Sequence, residues 1–152
     1  MEKSATFSLC GKYRYDLKRT WDHTLRKAIV IMLNPSIADD SKDDPTIRKI
    51  STILKYNNYG GMIIYNLWPI ISTDPSVLNS MTDAEKSFDN HPWLNSLEDQ
   101  IHPIIFAWGV PGKKGNQYTD KVKGRAFCFG KNKDGSPKHP LYLKNETKIQ
   151  RY

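Results

Sequence analysis

Three polar residues stand at the borders of apolar runs of this chain. Asn34 follows Ala28-Ile29-Val30-Ile31-Met32-Leu33, Asn66 follows Met62-Ile63-Ile64-Tyr65, and His139 follows a glycine-containing polar stretch and precedes Pro140-Leu141-Tyr142-Leu143. An Asn side chain offers a donor and an acceptor together, so Asn34 can position water or bind an exocyclic group, and Asn66 can read the edge of a base. Histidine can donate a hydrogen bond to an oxygen that gains negative charge. Each has a plainer role as well. Asn34 can bond its own turn, Asn66 can cap a neighbouring loop, and His139 can tie down the C-terminal segment.

The stretch after Asn34 is acidic: Asp39, Asp40, Asp43 and Asp44 precede Pro45-Thr46-Ile47-Arg48. Hard oxygen ligands of this kind suit magnesium, which makes a metal-assisted nucleotide hydrolase one alternative. The spacing is not that of an EF-hand, and Asp44-Pro45 reads better as a helix cap followed by a first-turn proline. No metal and no other cofactor is expected. GxxxxGK[ST] is absent, and the glycines from Gly109 to Gly115 carry no specific phosphate pattern. Trp68 and Trp108 can stack a base or pack the core. His23, His91 and His102 have no comparable surroundings.

The elements that must carry these residues alternate between strand and helix signals. Ile29–Leu33, Met62–Leu67, Pro103–Ala107 and Arg125–Gly130 read as strands, the first buried on both faces because its apolar run is unbroken. Ile47, Ile50, Ile53 and Leu54 form a helical stripe that Asn57-Asn58 and Gly60-Gly61 terminate. Short helices are expected from Thr73-Asp74-Pro75 and within Asp89–Asp99. The alternation predicts a small three-layer α/β fold with a mostly parallel four-stranded central sheet. Its strand-end segments after Leu33, Tyr65, Ala107 and Phe129 are placed to converge, as functional sites in such folds do. Tyr13, Arg14, Tyr15, Lys18, Arg19 and Trp21 read as an edge strand or hairpin arm with charged outer positions, or as a surface that stacks bases and meets phosphates.

The chain has 152 residues, which fits one domain over residues 1–152. Lys and Arg number 23 against 16 Asp and Glu, a formal charge of +7. That balance favours a polyanionic partner, DNA or a nucleotide, without choosing between them. Lys113, Lys114, Lys121, Lys131, Lys133 and Lys138, in two polar loops, are the candidate phosphate contacts. Cys10 and Cys128 make no CxxC pair, no apolar run approaches the ~20 residues of a membrane span, and a reduced, cytoplasmic setting is expected. Nothing in the pattern fixes an oligomeric state.

The segments LNPSIADDSKDDPTIRK, YGGMIIYNLWPIISTDP, FAWG and SPKHPLYL together resemble the DUF1643 family over almost the whole chain. A more distant resemblance is to the uracil-DNA glycosylase superfamily. Asn34-Pro35-Ser36 resembles its first active-site loop, in which Asn positions the attacking water. Asn66 with Trp68-Pro69 resembles the base-recognising segment, and Pro103–Gly109 a later central strand. His139-Pro140-Leu141-Tyr142 resembles the terminal His-Pro loop, whose His supports the departing base. The resemblance implies a uracil-DNA glycosylase-like fold and an N-glycosylase acting on a modified or non-standard base. Asn34, Asp39 and His139 would be catalytic, with Asp39 or Asp40 orienting water or stabilising the sugar cation. Pro35, Ser36, Asp40, Asn66, Trp68, Trp108 and Tyr142 would hold the substrate. The alternative is a non-catalytic nucleic-acid or nucleotide-binding protein that keeps the pocket. The first loop reads Asn-Pro-Ser where the superfamily usually has a glycine-containing version, and the acidic run through Asp44 belongs to the DUF1643 pattern.

Overall fold

The computed structural model describes residues 1–82, 97, 101–110 and 119–152. Its strands are β1 (Glu2–Phe7), β2 (Arg14–Thr20), β3 (Lys27–Met32), β4 (Gly61–Asn66), β5 (Ile104–Phe106), β6 (Phe127–Cys128) and β7 (Gln150–Arg151). They form one mixed sheet in the order β1-β2-β4-β3-β5-β6-β7. The expected four-stranded sheet is therefore too small. Neighbours pair parallel from β4 through β3 and β5 to β6, while β1, β2 and β7 add antiparallel edges. The edges escape a reading by hydrophobic pattern for a physical reason. All but one residue of β1 is exposed, and β7 is two exposed residues of what reads as a basic tail.

Side chains alternate across β3. Ala28, Val30 and Met32 join a core with Leu17, Ile64 and the helix residues Ile47, Ile50, Ile53 and Leu54. Ile29, Ile31 and Leu33 join a second core with Phe106, Trp108, Leu97, Val122 and Ala126. Each aliphatic side chain buried this completely contributes roughly 1.5–3 kcal/mol, which explains an unbroken apolar strand with two dry faces. The first face is covered by helix α1 (Pro45–Tyr56). On the second face lie Leu97 and the 3-10 helix Asp120–Arg125. The rest of the helical segment expected within Asp89–Asp99 lies outside the described residues, and Thr73-Asp74-Pro75 leads into a 3-10 turn, Pro75–Ser80.

Helix α1 begins as its sequence requires. Asp44 is the N-cap, its side chain accepting from the Ile47 N–H at 2.8 Å, and Pro45 sits where no donor is needed. It ends at Asn57, and Asn58 takes the left-handed backbone (φ 62°). Gly60 then passes so close to the 22–26 loop that a Cβ would lie 2.0 Å from the Asp22 carbonyl, so only glycine fits. Among the described residues no helix is long and apolar enough to cross a membrane.

Candidate functional site

The loops leaving β3, β4, β5 and β6 are stitched to one another by backbone hydrogen bonds. Leu67 and Trp68 donate to the Met32 and Leu33 carbonyls, and Ser72 donates to Pro35. Gly109, in the left-handed region at φ 73°, donates to the Pro137 carbonyl at 3.0 Å. Lys138 donates to Gly130, while Asn132 and Ser136 close the intervening turn around Asp134. The last two sets of bonds fix the approach to His139.

Between these loops and the start of α1 lies a cavity of about 670 Å³. Asn34, Ser36, Asn66, Trp108, Lys138 and His139, all singled out from the sequence, line it. Arg14 and Asp44 line it as well, and Met32, Ile37, Ile47, Ile64, Val110 and Leu141 supply apolar wall. A volume of this size accommodates a nucleoside-sized ligand.

Asn34 is oriented by its own loop. Its Nδ2 donates to the carbonyls of Ser72 at 2.9 Å and Pro35 at 3.0 Å, which fixes the amide so that Oδ1 is the group left without a partner among the described residues. Asn66 is different. It is 2% exposed, yet neither Nδ2 nor Oδ1 has a hydrogen-bond partner among the described residues. A buried unpaired amide costs about 1–3 kcal/mol for each unsatisfied group, a burden natural cores carry where a ligand will supply the partners. The loop-cap role for Asn66 is thereby set aside.

His139 stands at the cavity rim, exposed to solvent but surrounded by protein. Leu141 N–H donates to its Nδ1 at 3.2 Å, so the ring proton of the neutral imidazole is on Nε2. Partial burial pushes its pKa below the ordinary histidine value, with the Asp44 charge pulling the other way. The ring is thus a neutral donor at pH 7.

Arg14 is the site residue that the sequence pattern hid, and Asp44, read from the sequence as a helix cap and one of four acidic ligands, lines the cavity with it. Arg14 reads as an outward cation on an edge strand, but it is 2% exposed and its Nη1 donates to the Ala38 carbonyl at 2.7 Å. Burial lowers its pKa to about 10, with the Asp44 charge opposing that shift, so the guanidinium stays protonated. Asp44 both caps α1 and faces the cavity. For Arg14 the only sequence signal was the density of charge around it.

Other candidates lie elsewhere. Asp39 folds back on its own turn, its Oδ1 accepting from the Ser41 and Lys42 N–H groups and holding its pKa near about 2. Asp40 is exposed and Pro35 buried, both outside the cavity lining. The acidic loop is anchored by Arg19, which is fully buried rather than outward-facing. Its Nε donates to Asp43 Oδ1 at 2.8 Å, and its Nη2 donates to both the Asp39 and the Lys42 carbonyls. Among the described residues no group of three or more His, Cys, Asp or Glu could hold a metal ion. Trp68 is buried away from the cavity, and the Trp108 ring packs on Phe106 at 4.5 Å. Tyr142 is 94% exposed, its neighbour Leu141 lining the cavity instead. Of the lysines, Lys138 reaches the cavity, and Lys131 lies over the Tyr152 ring. Lys121 and Lys133 are exposed, and Lys113 and Lys114 lie outside the described residues.

A family model described as "protein of unknown function (DUF1643)" matches residues 14–141. The chain belongs to the DUF1643 family. No curated protein and no solved structure matches it. The matched span of this DUF1643 protein runs from Arg14 to Leu141, so both ends of the match are residues that line the cavity.

Proposed function

We propose that the cavity takes a nucleobase and that the protein hydrolyses the N-glycosidic bond of a modified or non-standard DNA base or nucleotide, in the manner of the uracil-DNA glycosylase superfamily. The observation that carries this reading is Asn66, a buried amide with donor and acceptor both unpaired, in one cavity with Asn34 and His139. An adjacent donor and acceptor match a base edge. Asn34 Oδ1 orients a water for attack at the sugar C1′. The bond between C1′ and the base nitrogen breaks, its electron pair leaves with the base, and His139 Nε2–H donates to the charge that develops there. Asp44 takes the electrostatic part expected of Asp39 or Asp40. Its carboxylate faces the cavity, opposes positive charge growing on the sugar and accepts the proton released by water.

The test is release of free base from a panel of modified oligonucleotides and nucleosides, followed by chromatography with the intact chain. Release that disappears in Asn34→Ala and His139→Ala is expected. Saturable binding with no release from any substrate would sink the hydrolytic step and leave a nucleotide-binding protein.

A further inference from the structure

The Arg14 guanidinium has one engaged nitrogen and two free ones. Nη1 donates to the Ala38 carbonyl, Nε is buried without a partner, and Nη2 makes no hydrogen bond among the described residues. Nε and Nη2 share one edge of the planar group, the edge that makes two parallel hydrogen bonds to a pair of acceptors. That edge belongs to a side chain lining the cavity, which Asn66 of the neighbouring strand lines as well.

A free guanidinium edge can take an oxyanion or a pair of neutral acceptors. The surroundings decide between them. Asp44 lines the same cavity and its charge acts on Arg14, yet no Asp44 oxygen lies within 4.0 Å of an Arg14 nitrogen as an ion pair. The charge of Arg14 is therefore offset while Nε and Nη2 make no hydrogen bond among the described residues, and an anion placed there would meet the Asp44 carboxylate. Two adjacent neutral acceptors satisfy the edge without that repulsion. Two nucleobase edges offer such a pair, the O6 and N7 of a 6-oxopurine and the O2 and N3 of cytosine, and only in the first does the oxo oxygen also adjoin a ring N–H that the Asn66 amide can read.

We propose that Arg14 is the specificity-determining residue of this cavity, its Nε–Nη2 edge taking the O6 and N7 acceptors of a 6-oxopurine while Asn66 reads the adjoining lactam edge. This rests on the nucleobase reading above and names its substrate class. A 6-aminopurine presents an amino group where O6 stands, which sets donor against donor. Uracil has no N7 counterpart and its N3 carries a proton, so it fills only one of the two bonds.

The test is calorimetric titration of the full chain with guanosine, 7-deazaguanosine, adenosine and uridine. Guanosine is expected to bind at least about tenfold tighter than each of the other three, in line with loss of one charge-assisted hydrogen bond. In Arg14→Met the guanosine advantage over 7-deazaguanosine falls towards unity. Arg14→Lys, which keeps the charge and loses the planar edge, gives the same collapse and serves if the methionine variant does not fold. Guanosine binding without a penalty for the 7-deaza change overturns the Arg14 contact and leaves the nucleobase reading standing. An unchanged ratio in either folded variant does the same, as does displacement of guanosine by inorganic phosphate. If none of the four nucleosides binds, the Arg14 contact fails, and the nucleobase reading is judged separately by the base-release assay.

Discussion

Asp44 and Arg14 face one cavity, and each is held by a bond to something else. Asp44 Oδ1 accepts from the Ile47 N–H at 2.8 Å, and Arg14 Nη1 donates to the Ala38 carbonyl at 2.7 Å. The two charges offset each other across the cavity without closing it. Asp44→Ala removes both the cap and the charge, and should lower stability by about 1–2 kcal/mol or more. Asp44→Asn keeps a capping oxygen and removes only the charge, so its loss should be smaller. Urea denaturation of the two variants separates the contributions. Equal losses would mean that the cap carries none of the effect.

Asn66→Leu should leave stability unchanged or raise it, because two buried polar atoms without partners are replaced by apolar ones of similar size. The same variant should lose ligand binding. A loss of more than about 2 kcal/mol in urea denaturation would instead assign Asn66 a structural role.

Arg19→Met should destabilise by about 2–4 kcal/mol, since it strips the fully buried clamp from Asp43 and from the Asp39 and Lys42 carbonyls. The 39–43 turn should also become more sensitive to limited proteolysis. Wild-type resistance at that turn would contradict the clamp.

The Asp39 carboxyl, held by backbone N–H groups, has a folded pKa of about 2 against an ordinary 3.8. Its contribution is complete above 3.8 and is lost as pH falls through about 2. Asp39→Asn should therefore be less stable than wild type at neutral pH, with the difference vanishing towards pH 2. Thermal melts across that interval measure it. His139 has the same sign in a higher pH window, for a different reason, since burial disfavours its charged form. Its folded pKa lies below the ordinary 6.5, so wild-type stability falls as pH drops from about 6.5 towards the folded value, and His139→Gln should flatten that slope.

The sequence made the centre of this fold readable because its evidence was local. An unbroken apolar run marked β3, a cap and a proline marked the start of α1, and polar residues at strand ends marked Asn34, Asn66 and His139. Arg14 and Arg19 were hidden because their roles depend on chain neighbours distant in sequence. Arg14 bonds a carbonyl 24 residues away, and Arg19 clamps a turn about as far off. A cation on a strand with charged neighbours looks the same in one dimension whether it faces water or a cavity. Asp39 shows the reverse. Its acidic surroundings drew attention, and a turn of three residues accounts for its bonds.

The central claim is that Asn66 waits for a base edge. Its most direct test is the side-chain amide pair of Asn66 in a proton–nitrogen correlation spectrum, followed as nucleosides are titrated into the nitrogen-labelled chain. The account predicts that the Asn66 Nδ2 resonances move saturably, together with the His139 ring and at the same midpoint. Saturable binding that leaves the Asn66 amide unmoved, or no response to any base, would contradict it.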